Sequence, residues 1–327
     1  MPDHPPAKVL ITGGREVGGL DAFARGLAEG FTKLGIPAEV VPAEKIFRMW
    51  RELRDANVLK ILSTTAVFAA PMTRRAICVS HGIARADAQG WLKMFGITAS
   101  YKLANRSSST RFVAVSNYVA AHLQGLFKVR IDAVIHNPLQ SMFFEPYEEC
   151  DRRYLTFAGR LIPAKNIHRL LPAMCELQKE NRSLSVCVIG DGPMRQQLRE
   201  SFPGVEFTGN LSSLAVRAYL RQTKVFASGT EMEALGIGYL EALSQGCRVA
   251  MPACGGGLEI ALDQIGKRIH LLPLSWDRAQ VISTLRRAWC QGDACAESAT
   301  AALARYQAKT VAQSYLDIDG TAGGGCA

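Results

Sequence analysis

The chain has 327 residues, 48% of them hydrophobic, enough to bury two modest cores. No apolar run approaches the ~18 residues that a membrane-crossing helix needs. Met1-Pro-Asp-His-Pro-Pro6 has neither the basic start nor the apolar stretch of a secretory leader, so a soluble, unexported protein is the expectation. The nine cysteines include no C-x-x-C pair and sit mostly in apolar runs such as Val186-Cys187-Val188, which argues against a zinc site or a disulfide framework and for reduced thiols in the cytoplasm.

The formal charge of +9 is unevenly spread. Between Lys45 and Arg111 there are 12 basic residues against three acidic ones, and this stretch carries the whole excess. It contains Lys45-Ile-Phe-Arg-Met-Trp-Arg-Glu-Leu-Arg54 and Trp91-Leu-Lys-Met-Phe95, where bulky apolar residues are interleaved with cations. Such a pattern suits either attachment to an anionic membrane surface or buried helices with a solvated basic face. No helix-turn-helix, RNA-binding sheet motif or zinc knuckle accompanies the charge, so no nucleic-acid partner is expected.

In chain order, Val9 to Thr12 reads as a strand, Gly13 to Gly19 as a glycine-rich loop, Leu20 to Leu34 as a helix and Ala38 to Val41 as a second strand. That alternation predicts a parallel sheet covered by helices. Gly13, Gly14, Gly18 and Gly19 are not spaced as G-x-G-x-x-G; they suit either a phosphate cradle or a tight strand-to-helix turn. Asn57 to Leu62 reads as a strand, Ala66 to Arg74 as a short helix, and Ala76 to Ser80 as a strand that delivers His81-Gly82 to its C-terminal end, where ligands of open parallel sheets collect. Arg111 to Val115, a Ser116 cap and a helix follow, then a last strand over Asp132 to His136. Pro138, Pro146 and an acidic run interrupt the periodicity from Asn137 to Arg152 and mark a domain boundary.

The second half restarts with a strand at Tyr154 to Ala158 and the loop Gly159-Arg160-Leu-Ile-Pro-Ala-Lys165-Asn166. Arginine grips phosphate oxygens with a planar fork and lysine supplies a mobile point charge, so Arg160 and Lys165 suit an anion, or else a solvated basic loop. Strands are expected at Leu184 to Ile189, before Gly190-Asp-Gly-Pro193, and at Val205 to Leu211. After the apolar run Lys224 to Ala227, Gly236 to Gly246 carries Ile237, Leu240 and Leu243 at helical spacing. The free amides from Leu235 through Gly236 and Ile237 to Gly238 open this helix, where its dipole favours an anion. Glu233 stands in the loop at the helix mouth and Glu241 in its second turn. Both suit acceptors for hydroxyl groups on either side of an anionic centre, as a sugar and a ribose flank a diphosphate, or else ordinary helix acids. Cys247 to Met251 reads as a strand leading to a Gly255-to-Glu259 turn, Ala296 to Tyr315 as a helix, and Gly320 to Ala327 as disordered. Asp317-Ile-Asp319 is a literal D-x-D, but it lies at the frayed end of the chain rather than after a mid-domain strand, and no metal site is expected there.

Glu233-Ala-Leu-Gly-Ile-Gly-Tyr-Leu-Glu241 resembles the E-x7-E motif of retaining glycosyltransferases of the GT-B fold, family 4 in particular, with Leu235 where that family usually has Phe. Val79-Ser-His81-Gly82, Gly159-Arg160-x4-Lys165, Gly190-Asp-Gly-Pro193 and the Gly-Gly-x-x-Glu turn ending at Glu259 resemble further elements of the family, in its order. The resemblance implies an α/β architecture of two Rossmann-like domains with parallel sheets facing a central cleft. Residues 1–140 would form the acceptor-binding domain, with a helix over about 296–318 packing back on it; residues 141–295 would bind the donor, and 319–327 would be a disordered tail.

The same resemblance implies that Glu233 contacts hydroxyls of the transferred sugar, Glu241 holds the ribose, Arg160 and Lys165 meet the leaving diphosphate, and His81 helps place the sugar. Gly18 and Gly19 would face the donor phosphates, and Thr208, Asn210 and Leu211 would line the base pocket. The expected reaction is metal-independent transfer of a hexose from a UDP- or GDP-sugar, with no other cofactor, to a hydroxyl of a saccharide or lipid-linked acceptor. Cell-envelope polysaccharide or glycolipid synthesis, at the inner face of the cytoplasmic membrane, is the expected setting. Two alternatives are a nucleotide-sugar epimerase on the same fold and a non-catalytic sugar-nucleotide-binding scaffold.

Overall fold

The computed structural model describes residues 4–13, 18–82, 91–107, 109–146, 150–262, 267–291 and 303–320. It divides into two compact units, one made of Met1–Ser141 and Ala304–Ala327, the other of Met142–Leu303. Each holds a six-stranded parallel sheet.

In the first unit the strands are β1 (Lys8–Gly13), β2 (Ala38–Pro42), β3 (Val58–Ser63), β4 (Ala76–Ser80), β5 (Thr110–Ala114) and β6 (Ala133–Val134), in the order β2-β1-β3-β4-β5-β6. Val9, Leu10 and Ile11 of β1 are wholly buried, as expected of a strand with both faces covered. The chain runs from β1 outward to β2 and returns to β3 on the other side, so its direction switches between β1 and β3. Here the strands are clamped: the Ser63 amide donates to Thr12 Oγ1 at 2.7 Å and the two hydroxyls lie 3.0 Å apart.

The helix Gly19–Lys33 lays Phe23, Leu27 and Phe31 into the core and also receives the last helix, Ala308–Gly320. A side chain at Gly30 would put its Cβ 2.1 Å from the Ala308 carbonyl oxygen, so the two helices meet where only glycine fits. Of the helix expected over Ala296 to Tyr315, 296–302 lie outside the described residues, Ala304–Tyr306 is a 3-10 turn and the α-helix runs over Ala308–Gly320; Asp319 and Gly320, expected in a disordered tail, are helical, and 321–327 lie outside the described residues. Asp319 is buried in an ion pair with Arg75, whose Nε donates to its two oxygens at 3.0 and 2.8 Å. The D-x-D letters therefore include a carboxylate engaged in holding the unit together.

Three more expectations meet differences. Ala66 to Arg74 is not an α-helix but a 3-10 stretch, Thr64–Met72; Pro71, inside it, has no amide to donate to an α-helical ladder. The basic segment from Lys45 splits into a 3-10 helix, Ala43–Arg48, and a short helix, Trp50–Arg54. The last strand pairs only at Ala133–Val134, because it is an edge strand that Pro138 soon ends, and Asp132 takes up the Phe112 amide with its side chain at 2.7 Å.

The second unit holds β7 (Tyr154–Ala158), β8 (Ser185–Ile189), β9 (Glu206–Gly209), β10 (Thr223–Ala227), β11 (Arg248–Pro252) and β12 (Ile269–Leu272), in the order β12-β11-β10-β7-β8-β9. The chain moves out from β7 to β9, then returns to β10 on the opposite side of β7. The switch point therefore lies between β7 and β10, and in open parallel sheets ligands bind beyond the strand ends at that place. Behind it, Leu170, Met174 and Leu177 of helix Ile167–Glu180 and Leu285 and Trp289 of helix Arg278–Cys290 share one core with Leu155, Phe157 and Val225 of the sheet. Among the described residues no helix is long and apolar enough to cross a membrane.

Candidate active site

The loop after β7 carries Arg160 and Lys165, and the loop after β10 carries Glu231 and Glu233. Lys165 Nζ meets Glu233 Oε2 at 2.9 Å across the switch point. Arg160 is exposed and, among the described residues, its guanidinium has no hydrogen-bond or ion-pair partner. Its loop is braced from behind, with the Leu161 amide donating to the Asp191 carbonyl at 2.9 Å. A Cβ at Gly190 would stand 2.1 Å from the Gly159 oxygen, so Gly190-Asp-Gly-Pro193 is the packing support of the Arg160 loop.

Around the Glu233 loop five hydrogen bonds converge. Asn166 Nδ2 donates to Gly229 O and to Glu231 Oε1, both at 3.0 Å, and Trp276 Nε1 donates to the same Glu231 oxygen at 2.6 Å. On the other side the Gly256 amide donates to the Glu233 carbonyl at 2.8 Å, and the Cys254 thiol to the Glu231 carbonyl at 2.8 Å. The expected Gly255-to-Glu259 turn thus supports the loop before continuing into a short helix, Gly257–Ala261. Glu231, Asn166 and Trp276 were not candidates on sequence grounds. Asn166 and Glu231 lie next to motif residues, but Trp276 is distant in sequence and only folding brings it there.

The helix Ile237–Ser244 follows, with Gly236 as its left-handed N-cap. Leu235 is fully buried and Ile237 half-buried, so at this helix mouth Leu235 serves the core. Glu241 makes no side-chain hydrogen bond or ion pair among the described residues, and burial pushes its carboxyl up to about 7. A carboxyl held this way lacks hydrogen-bond donors, and a vicinal diol would supply them. Thr208 donates to the Gly209 carbonyl at 3.0 Å, Asn210 is exposed, and Leu211 packs beside Tyr154 and Ile189 at the β9 edge of the sheet.

In the first unit, Gly18 and Gly19 begin the helix after β1, at that unit's switch point; an added Cβ at either would meet nothing within 4 Å, so packing does not demand glycine there. Gly14 lies outside the described residues. His81 stands at the end of β4 with its ring edge-on to Phe23, centroids 4.2 Å apart. Burial lowers its pKa to about 4, so the imidazole is neutral at pH 7, and among the described residues its buried Nε2 has no partner. A buried polar atom without a partner is costly unless a ligand completes it.

Two doubly wound parallel sheets, the second with a cationic and an acidic loop meeting at its switch point, define the GT-B class of fold. Residues 141–278 match the family model of the glycosyl transferases group 1, and this part of the chain is a domain of that family. A GDP-mannose-dependent alpha-mannosyltransferase of Mycolicibacterium smegmatis is 27% identical over 195 residues, covering 59% of this chain and 50% of that protein. An alpha-monoglucosyldiacylglycerol synthase of Streptococcus pneumoniae is 31% identical over 97 residues, 28% of this chain and 22% of that one. The chain thus spans half or less of the length of these curated relatives. Among solved structures, Anabaena Alr3699/HepE in complex with UDP and glucose aligns with a TM-score of 0.72 at 17% identity, covering 95% of this chain and 98% of that one. WaaG, a glycosyltransferase involved in lipopolysaccharide biosynthesis, aligns with a TM-score of 0.65 at 15% identity, covering 94% and 95%.

Proposed function

We propose that the protein is a metal-independent retaining glycosyltransferase that moves a hexose from a UDP- or GDP-sugar to a hydroxyl of a saccharide or lipid-linked acceptor, in cell-envelope polysaccharide or glycolipid synthesis on the cytoplasmic side of the membrane. The observation that carries this reading is the Lys165–Glu233 pair at the switch point, with Arg160, unpartnered among the described residues, on the same loop as Lys165 and a desolvated Glu241 in the helix that follows Glu233. When the bond from the sugar's anomeric carbon to phosphate oxygen breaks, its electron pair goes to the diphosphate. Arg160 and Lys165 neutralise the charge that develops there, the work a metal ion would otherwise do. Lys165 is pre-set for this by Glu233, which exchanges its cation partner for sugar hydroxyls when donor binds. Glu241 accepts from the ribose diol, and the neutral His81 offers Nε2 to the sugar. Gly18 and Gly19 leave room for the phosphates, and Thr208, Asn210 and Leu211 border the base.

Relatives named as GDP-mannose-dependent and a fold neighbour solved with UDP support a nucleotide-sugar donor and leave both bases to be tried. The test is a thermal-shift and hydrolysis screen of the whole chain against UDP- and GDP-sugars without added metal. One donor is expected to raise the melting temperature and to be slowly hydrolysed. Arg160→Ala should abolish hydrolysis and Glu241→Ala should weaken donor binding. If no nucleotide sugar binds, the transferase reading fails. Binding without hydrolysis or transfer would instead favour the scaffold alternative.

A further inference from the structure

We propose that Asn137 is a further substrate-binding residue: with His81 it takes up one hydroxyl of the transferred hexose, His81 Nε2–H donating to the hydroxyl oxygen and Asn137 Oδ1 accepting the hydroxyl proton. Both residues stand at the C-terminal end of the first sheet. His81 follows β4 directly, and Asn137 follows β6 after one more sheet bond, from the Ile135 amide to the Ala114 carbonyl at 3.0 Å. Asn137 is only 6% exposed. Among the described residues neither Asn137 Oδ1 nor His81 Nε2 has a hydrogen-bond partner, yet Asn137 lies close enough that its amide partly offsets the effect of burial on the imidazole. One bare buried polar atom is costly, and two kept near one another mark a place that a ligand completes.

The surrounding packing holds the pair in position. The His81 ring meets Phe23 edge-on, and three residues further along the same helix a Cβ added at Gly26 would stand 3.3 Å from the Pro138 ring. Phe23 and Gly26 share one face of Gly19–Lys33, so a single helix seats both His81 and the neighbour of Asn137. Tyr306 secures both flanks of Asn137: its ring stacks on His136 with centroids 5.4 Å apart, and its carbonyl accepts from the Leu139 amide at 2.8 Å. Groups fixed in this way need little rearrangement when substrate arrives.

The chemistry of the two atoms names the group that fits them. An amide oxygen only accepts, and a neutral imidazole nitrogen either carries the ring proton or accepts one. A hydroxyl, with one proton and free lone pairs, closes both contacts at once when Nε2 bears the ring proton. An ionised phosphate has no proton for Asn137, and an apolar group satisfies neither atom. That the hydroxyl belongs to the transferred sugar rests on the transferase reading, in which His81 offers Nε2 to that sugar.

The experiment is a cycle of substrate and side-chain changes: turnover of the donor and its monodeoxy analogues by wild type and by Asn137→Ala, measured as nucleoside diphosphate release. One deoxy position should lower the wild-type kcat/KM roughly 10- to 100-fold, and Asn137→Ala should lower it as much with the full donor. Combined, the two losses should be far less than additive, because the variant has already given up that contact. Unchanged melting and unchanged affinity for free nucleoside diphosphate separate this from a general disturbance of the fold. A second readout needs neither variant nor turnover. In spectra of isotope-labelled histidine the His81 Nε2 proton should move downfield with nucleotide sugar, and stay in place with nucleoside diphosphate alone or with the sensitive deoxy analogue. Additive losses at every position, or a His81 proton that moves only when acceptor is added, would overturn the inference while donor hydrolysis keeps the transferase reading standing. Binding without hydrolysis, but with the His81 shift, upholds the inference and sinks that reading; no nucleotide-sugar binding at all sinks both.

Discussion

Lys165 and Glu233 are each partly exposed, so their ion pair contributes little to stability, on the order of 0–1 kcal/mol. Its value is positional. Lys165→Ala should therefore shift the melting temperature by no more than a few degrees while lowering donor turnover about 100-fold, measured as nucleoside diphosphate release. Glu241 gives a pH signature. Its carboxyl ordinarily titrates at 4.5 and is raised to about 7 in the fold, so the folded chain holds a proton that the unfolded chain has lost. Stability then falls as pH rises from 4.5 to 7 and levels off above that. Glu241→Gln should raise the melting temperature at pH 8 and leave it unchanged at pH 4, and a scan of both proteins across that range checks the sign. Glu231 is read best through its partners: if it positions Glu233 through Trp276, then Glu231→Ala, Trp276→Phe and the double variant should lower kcat to similar extents. Additive losses in that double-mutant cycle would mean independent roles. These residues also mark how far the sequence reached. Arg160, Lys165, Glu233 and Glu241 stand out as candidates through the motifs they resemble; their spacing alone suits a solvated basic loop and ordinary helix acids equally well. Trp276 is illegible because its use depends on a contact with a residue 45 positions away.

Elements were legible wherever one period ran uninterrupted. Tyr154–Ala158 and Ala76–Ser80 are continuous apolar runs and form strands at those residues. Ala66 to Arg74 is apolar too, yet composition alone does not distinguish an α-helix from the 3-10 stretch that ends near Pro71. The edge strand β6 failed for a related reason: a strand with one neighbour is held by few hydrogen bonds, and the pattern does not reveal which residues get them. Helix–helix contact was hidden as well. Gly30 reads as a weak point in a helix, whereas it is where Ala308–Gly320 crosses. Gly30→Ala should cost about 1–3 kcal/mol in denaturant unfolding despite the higher helix propensity of alanine, with faster amide exchange across Ala308–Gly320 as the local readout.

The whole molecule is two units, but the first is discontinuous in sequence, taking Met1–Ser141 and then Ala304–Ala327. The buried Arg75–Asp319 pair ties those two stretches together. Asp319→Ala leaves a buried guanidinium without its counter-charge and should cost about 3–5 kcal/mol, lowering the first unit's unfolding midpoint in urea. Arg75→Met with Asp319→Leu should recover most of it. By the same reasoning residues 142–303 should unfold cooperatively when made alone, and residues 1–141 should not, as judged by circular dichroism of the two fragments.

Synthesis on the ribosome meets this arrangement in a definite order. Residues 1–141 emerge first but lack the helix that closes over Gly19–Lys33, and Lys60 and Arg75 lack the carboxylate that shares their buried site, since Asp319 has yet to be made. At roughly 5–20 residues per second, the nascent first unit waits on the order of ten seconds or more while the second is completed. The order of folding would then be the reverse of the order of translation, with the second unit finished first and the unfolded interval falling on the part that carries Phe47, Trp50, Phe68 and Phe95 as exposed rings.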